Sequence, residues 1–261
     1  MEKRDHPKRR VQWGTVTLGE GMPAVCVPVM GKDEHEMGDA ARKAGHAGAD
    51  VLELRIDSLS PMPPLERVRA CCAAARRAAD RPLLLTLRTQ RDGGLGGTDA
   101  AQYEALLCRV VSERLCEAID VELSAGEERF SRVVRAAHAS GVSVVGSSHR
   151  FDGTPEAGKM IRTLRLIEQL EADVCKIAVM PHSREDVLTL MEAGIRADAQ
   201  MTVPLIAIAM GPLGILTRLG AQWLGSCLTF GIVGQESAPG QMEAGALRRG
   251  LEMVSTALPH G

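Results

Sequence analysis

Lys176 stands inside the apolar run CKIAVMP (175–181), where the pattern predicts a buried strand. An ammonium buried without a partner costs several kcal/mol. Its presence reads either as a lysine snorkelling from a strand end or as a reactive amine. Other runs favour the amine. Near the end of VLELRID (51–57), Glu53 and Arg55 lie two residues apart, and LLLTLRT (83–89) repeats the arrangement with Thr86 and Arg88. AIDVEL (118–123) does so with Asp120 and Glu122, and VVGSSH (144–149) with Ser147 and His149. Residues two apart on a strand share a face, so polar groups from five runs converge on one place. Arg55, Arg88 and Arg218 would supply positive charge for an anionic substrate, because guanidinium forks match carboxylates. These cations, with burial, would favour the uncharged form of Lys176. A desolvated amine invites Schiff-base formation with a carbonyl. His149 would move protons at the adjacent carbon or take part in iminium formation and hydrolysis, with Glu53 or Asp92 orienting it. The iminium would be the electron sink, so neither a metal nor a cofactor is expected.

The elements that must position these groups are legible. Eight apolar runs recur, at 24–30, 51–56, 82–88, 118–123, 142–148, 173–179, 204–210 and 226–233. Most have the composition of strands buried on both faces. Segments with helical spacing lie between them, including 66–79, 100–115, 155–170, 186–197 and 242–258. For the third of these, Thr154 is the expected cap and Pro155 the first helical residue. Strand then helix, eight times, is the count of a (β/α)8 barrel, with a doubly wound open sheet as the alternative. A barrel site lies at the C-terminal ends of the strands. The stretch 11–21 predicts a short hairpin over the barrel bottom. The division is a disordered basic tail over 1–10 and a single catalytic barrel over 11–261.

Bulk properties narrow the class. The formal net charge is -2 and aromatic residues make up 2% of the 261, so neither charge nor stacking surface favours a nucleic-acid partner. No apolar run approaches membrane-span length. Seven cysteines without a CxxC pair read as reduced core thiols of a cytoplasmic protein, and zinc-site spacing is missing. Cys175 faces away from Lys176 and reads as packing.

The pieces VPVMGKD (27–33), ADVLELRID (49–57), LLLTLRT (83–89), SSH (147–149), TPEA (154–157), ADVCKIAVMP (172–181), MGPLGILTRL (210–219) and SAPGQ (237–241) occur in order. Through them the chain, from about residue 11 to 258, resembles the type I 3-dehydroquinate dehydratases, Schiff-base enzymes of the shikimate pathway of aromatic amino acid biosynthesis. The resemblance implies Lys176 as the Schiff-base lysine and His149 as the general acid/base. It implies that Glu53, Arg55, Arg88 and Arg218 bind the carboxylate and hydroxyls of 3-dehydroquinate, and that Ser237 and Gln241 sit on a lid after the eighth strand. Asp92, Glu122 and Met210 would support the site, and the protein would be a homodimer. Asp92 stands where the family usually has Glu, and a shorter carboxylate reaches less far toward His149. Arg150, Thr217 and Pro28 are milder departures. Three other readings compete. GTPEAGKM (153–160) nearly fits a phosphate loop, but Met160 replaces the magnesium-binding hydroxyl. A Schiff-base aldolase for sugar phosphates would want a glycine-amide cradle near the last strands, where this chain has Arg218 and SAPGQ. A barrel that binds ligand without turnover is the third reading, and the intact Lys176 and His149 argue against it. His35, His46 and His138 read as surface or helix-face residues, and RDGGLGG (91–97) as a mobile loop over the mouth.

Overall fold

Alternating apolar residues, Val11 and Trp13 then Val16 and Leu18, give the chain a hairpin before the first long strand. In the computed structural model, which describes residues 9–234 and 240–257, β1 (Val11–Trp13) and β2 (Val16–Leu18) pair antiparallel. Eight parallel strands follow: β3 (Ala24–Val29), β4 (Val51–Arg55), β5 (Leu83–Thr86), β6 (Ala118–Glu122), β7 (Ser143–Arg150), β8 (Val174–Val179), β9 (Leu205–Ala209) and β10 (Leu228–Ile232). They pair in the order β10-β3-β4-β5-β6-β7-β8-β9. The ring closes through a Leu205–Ser226 bridge and a 2.9 Å bond from Cys227 N to the Leu205 carbonyl. Two further residues, β11 (Met242–Glu243), add to β10. Around the barrel run α1 (Glu34–His46), α2 (Leu65–Ala78), α3 (Ala100–Ser112), α4 (Glu127–Ala139), α5 (Ala157–Gln169), α6 (Arg184–Gln200), α7 (Ile215–Leu219) and α8 (Ala244–Ala257). This is the (β/α)8 barrel with its N-terminal hairpin.

Strand parity divides the apolar residues into two cores. One face of each strand packs against the helices. The other fills the barrel, where Cys26, Val51, Leu84, Ala118, Val145, Val174, Ile206 and Leu228 form a layer with Trp13 and Leu18 of the hairpin. Trp13 is fully buried there, so the hairpin stoppers the bottom. Above this layer the same face carries Glu53, Arg55, Thr86, Arg88, Asp120, Glu122, Ser147 and Lys176, all buried.

Several local expectations change. Helix α5 begins at Ala157 with Glu156 as its cap residue. Thr154 instead donates from its hydroxyl to the Met180 carbonyl at 3.3 Å, and the X-Pro geometry keeps the preceding residues extended. Helix α3 ends at Ser112 because Arg114 takes a left-handed φ of 52°. Of the expected basic tail, Arg9 is tied down: its N–H donates to the Thr202 carbonyl at 2.7 Å and its guanidinium pairs with Asp173 at 2.9 Å. Residues 1–8 lie outside the described residues. Among those described, no helix is long and apolar enough to cross a membrane.

Candidate active site

Lys176 sits on β8 between Ser147 of β7 and Ile206 of β9 and points into the barrel. Its Nζ lies 3.5 Å from Asp120 Oδ2, 4.0 Å from Glu53 Oε1 and 4.4 Å from the centre of the Phe230 ring. Two carboxylates and an aromatic face, rather than arginines, are thus its neighbours at short range. Asp120 is itself fixed by Arg88 Nη2 at 2.8 Å and by the Ser147 hydroxyl at 2.6 Å. Burial alone would raise the Asp120 carboxyl, but Arg88, then Lys176 and His149, outweigh it and hold it well below the usual carboxylate range. Arg88 also donates through Nη1 to Glu122 at 2.8 Å and to Ser147 at 3.2 Å. Much of its fork therefore organises the acids beneath the pocket. Glu122 accepts from Thr89 N at 3.0 Å and the Thr89 hydroxyl at 2.6 Å, and burial, with Asp92 nearby, pushes it up to about 7.

His149 ends the inward face of β7, with Nδ1 3.0 Å from Asp92 Oδ2. The short carboxylate reaches. Asp92 closes the 3₁₀ turn Gln90–Asp92, and Gly93 follows in the left-handed region. The loop beyond is bonded rather than loose: Gly94 N donates to the Thr89 carbonyl at 2.8 Å and Gly96 N to the Arg88 carbonyl at 2.8 Å. Gly94 is needed there, because a Cβ would sit 2.1 Å from the Arg88 carbonyl oxygen. Gly94→Ala is expected to destabilise the protein by roughly 1–3 kcal/mol, as overpacking does. A fall in the urea midpoint at unchanged slope would register it; an unchanged midpoint would mean that the loop shifts freely. Burial, then Arg88 and Lys176, keep the His149 imidazole well below its usual pKa, so the ring is neutral at neutral pH. With Nδ1–H given to the carboxylate, Nε2 is the nitrogen left to act as base.

A pocket of about 520 Å³, mouth included, opens above these groups, lined by Glu53, Arg55, Arg88, Asp92, His149, Lys176, Met210, Arg218, Phe230 and Gln241. Every site residue expected from the sequence is in that lining except Glu122, which lies beneath it, and Ser237, which lies outside the described residues. Arg218 is anchored by Nε to the Gly240 carbonyl at 3.1 Å and by Nη1 to the Phe230 carbonyl at 3.3 Å. Arg55 is held by Asp57 through paired bonds of 2.9 and 2.8 Å. The sequence reading missed Asp57, which holds Arg55, and the two aromatic residues of the lining, Phe230 and Phe151. Asp57 and Phe230 did carry a signal, since each lies two residues beyond another inward-facing position. His182 hydrogen-bonds the Asp152 carbonyl at 3.4 Å and is not part of the pocket lining.

The model of the type I 3-dehydroquinase family matches residues 25–257. The chain belongs to that family. A 3-dehydroquinate dehydratase of Bacillus licheniformis is 37% identical over 249 residues, covering 95% of this chain and 98% of the relative. One from Klebsiella pneumoniae is 38% identical over 242 residues, 92% and 96% respectively. The crystal structure of a type I 3-dehydroquinate dehydratase from Clostridium difficile with covalent modified comenic acid superposes with a TM-score of 0.92 at 34% identity, covering 96% of this chain and all of that one. Within this 3-dehydroquinase, the departures noted in the sequence are absorbed locally. Arg150 turns outward and pairs with Asp152 at 2.8 Å. Thr217 donates to the Gly214 carbonyl at 2.8 Å and accepts from Ala209 N at 3.1 Å, so its hydroxyl staples α7 to β9.

Proposed function

We propose that this protein is a hydro-lyase that converts 3-dehydroquinate to 3-dehydroshikimate through an imine on Lys176. The observation that carries the reading is a buried lysine facing a neutral, carboxylate-oriented histidine across one pocket flanked by arginines. The Lys176 amine adds to the substrate ketone and water leaves, giving an iminium. A base then removes a proton from the carbon alpha to it, the electron pair is held as an enamine, and hydroxide leaves the beta carbon with a proton as water. Hydrolysis of the conjugated imine returns the amine. His149 Nε2 is the base and proton carrier, and Asp92 fixes its tautomer. Arg55 and Arg218 bind the carboxylate and hydroxyls, Glu53 takes a hydroxyl, and Gln241, with Ser237, closes over the ring. Arg88 chiefly holds Asp120 and Glu122 in place. Covalent chemistry of this kind has a parallel in the covalent modified comenic acid of the Clostridium difficile relative. A cytoplasmic homodimer goes with this reading, and sedimentation at micromolar concentration tests the dimer: a single monomeric species would remove it.

A pH profile follows from the same geometry. A general base must be unprotonated, and burial, Arg88 and Lys176 lower the His149 pKa below its ordinary 6.5. The neutral form therefore persists as the pH falls through that value, and the acid limb of kcat/KM is expected below pH 6.5. A limb at or above that pH would assign the titration to another group or leave His149 out of the proton transfer.

A further inference from the structure

Four donors converge on one carboxylate behind Arg55, outside the pocket lining. Asp57 lies in the 3₁₀ turn Ile56–Ser58 just after β4, and its side chain is fully buried. Oδ1 accepts from Arg55 Nε at 2.9 Å and from Arg88 N at 3.3 Å. Oδ2 accepts from Arg55 Nη2 at 2.8 Å and from Leu95 N at 3.2 Å. Each oxygen thus serves the guanidinium and one backbone amide. The two amides flank the segment 89–94 that carries Asp92, and Asp92 in turn meets His149 Nδ1 at 3.0 Å. We propose that Asp57 is a positioning residue coupling the substrate-binding Arg55 to the Asp92–His149 pair, an inference that rests on the dehydratase reading of the site. The fork keeps the Arg55 head aimed into the pocket, while the amide bonds pin both sides of the turn that presents Asp92. Burial alone would raise the Asp57 carboxyl, but the hydrogen bonds and charge of Arg55 hold it below the usual range, so it meets all four donors as an acceptor-only group. Leu95 contributes through its amide; its side chain is 55% exposed.

An amide at this position must turn an NH2 toward two of the four donors. Asp57→Asn in the full chain is therefore expected to raise KM for 3-dehydroquinate about tenfold or more, the scale of lost charged hydrogen bonds. It is also expected to lower kcat about tenfold through the displaced Asp92, the scale of a small misplacement of a catalytic group. If Asp57 acts on kcat through Asp92, adding Asp57→Asn to Asp92→Asn should change kcat by less than about twofold, while the KM effect persists. Asp57→Glu keeps the charge but carries the carboxylate past the fork. It should still fold, with a melting midpoint lowered as overpacking does, yet show several-fold changes in both parameters; it carries the test if the Asn variant fails to fold. Wild-type KM and kcat in a folded variant would overturn the proposal, as would a kcat loss that multiplies in full with that of Asp92→Asn. A parent protein that does not convert 3-dehydroquinate would sink the dehydratase reading instead, so the two failures are told apart.

Discussion

Lys176→Met is expected to reduce turnover of 3-dehydroquinate by on the order of 10⁴-fold or more, because it removes the amine that forms the covalent intermediate. Among the described residues that line the pocket, Lys176 is the one primary amine. The fold should survive. Methionine is close to lysine in volume, so it fills the space over the Phe230 ring without leaving a cavity. Removing the cation does not strand Asp120, which keeps Arg88 at 2.8 Å and Ser147 at 2.6 Å. Glu53 keeps the Thr86 hydroxyl at 3.0 Å. Circular dichroism should therefore match the parent while the rise in enone absorbance vanishes. A folded Met variant that turns over at the parent rate would place the chemistry on a group other than this amine.

His149→Ala should separate bond formation from proton transfer. General acid–base catalysis by a positioned imidazole is worth about 10²–10⁴-fold, and kcat is expected to fall by that much. The imine needs only the amine and the ketone, so the variant should still load substrate onto Lys176 and accumulate the adduct. Rapid-quench mass spectrometry reads both at once. An adduct that no longer forms would move His149 into the condensation step. A kcat equal to the parent's would remove it from the mechanism. Asp92→Asn should fall between these limits, since it leaves the imidazole present and disturbs its tautomer.

How much of this was visible in the sequence follows from periodicity and reach. The barrel was, because eight apolar runs alternate with helical segments and each needs two buried faces. The inward face was too: parity put Glu53 with Arg55, Asp120 with Glu122 and Ser147 with His149, and all of them share the barrel interior. Partnerships across the sheet were not, because parity sets direction and says nothing of distance. The sequence surrounds Lys176 with arginines, whereas Arg88 spends its donors on Asp120 and Glu122, and those bonds bring Asp120 to the lysine. Asp92 illustrates the same limit. Its shorter side chain suggested a gap, but the turn after Thr89, drawn in by Gly94 against the Arg88 carbonyl, brings it to 3.0 Å. That glycine-rich stretch had the composition of a mobile loop and is held by a set of backbone bonds instead. Asp57 was overlooked because it lies two residues past the end of its strand, in a 3₁₀ turn, and the parity that sets it two beyond Arg55 was not followed past the strand. The start of α5 moved by two residues for a local reason, Thr154 finding the Met180 carbonyl in place of a helix amide.

The central claim, that the buried amine of Lys176 carries the substrate, is tested most directly by trapping. The protein is incubated with 3-dehydroquinate, reduced with borohydride and digested, and the mass of the peptide spanning Lys176 is read. The account predicts a stable secondary-amine adduct on Lys176, lost in Lys176→Met and retained in His149→Ala. Folded, active protein that yields no adduct, or yields it on another lysine, would contradict it.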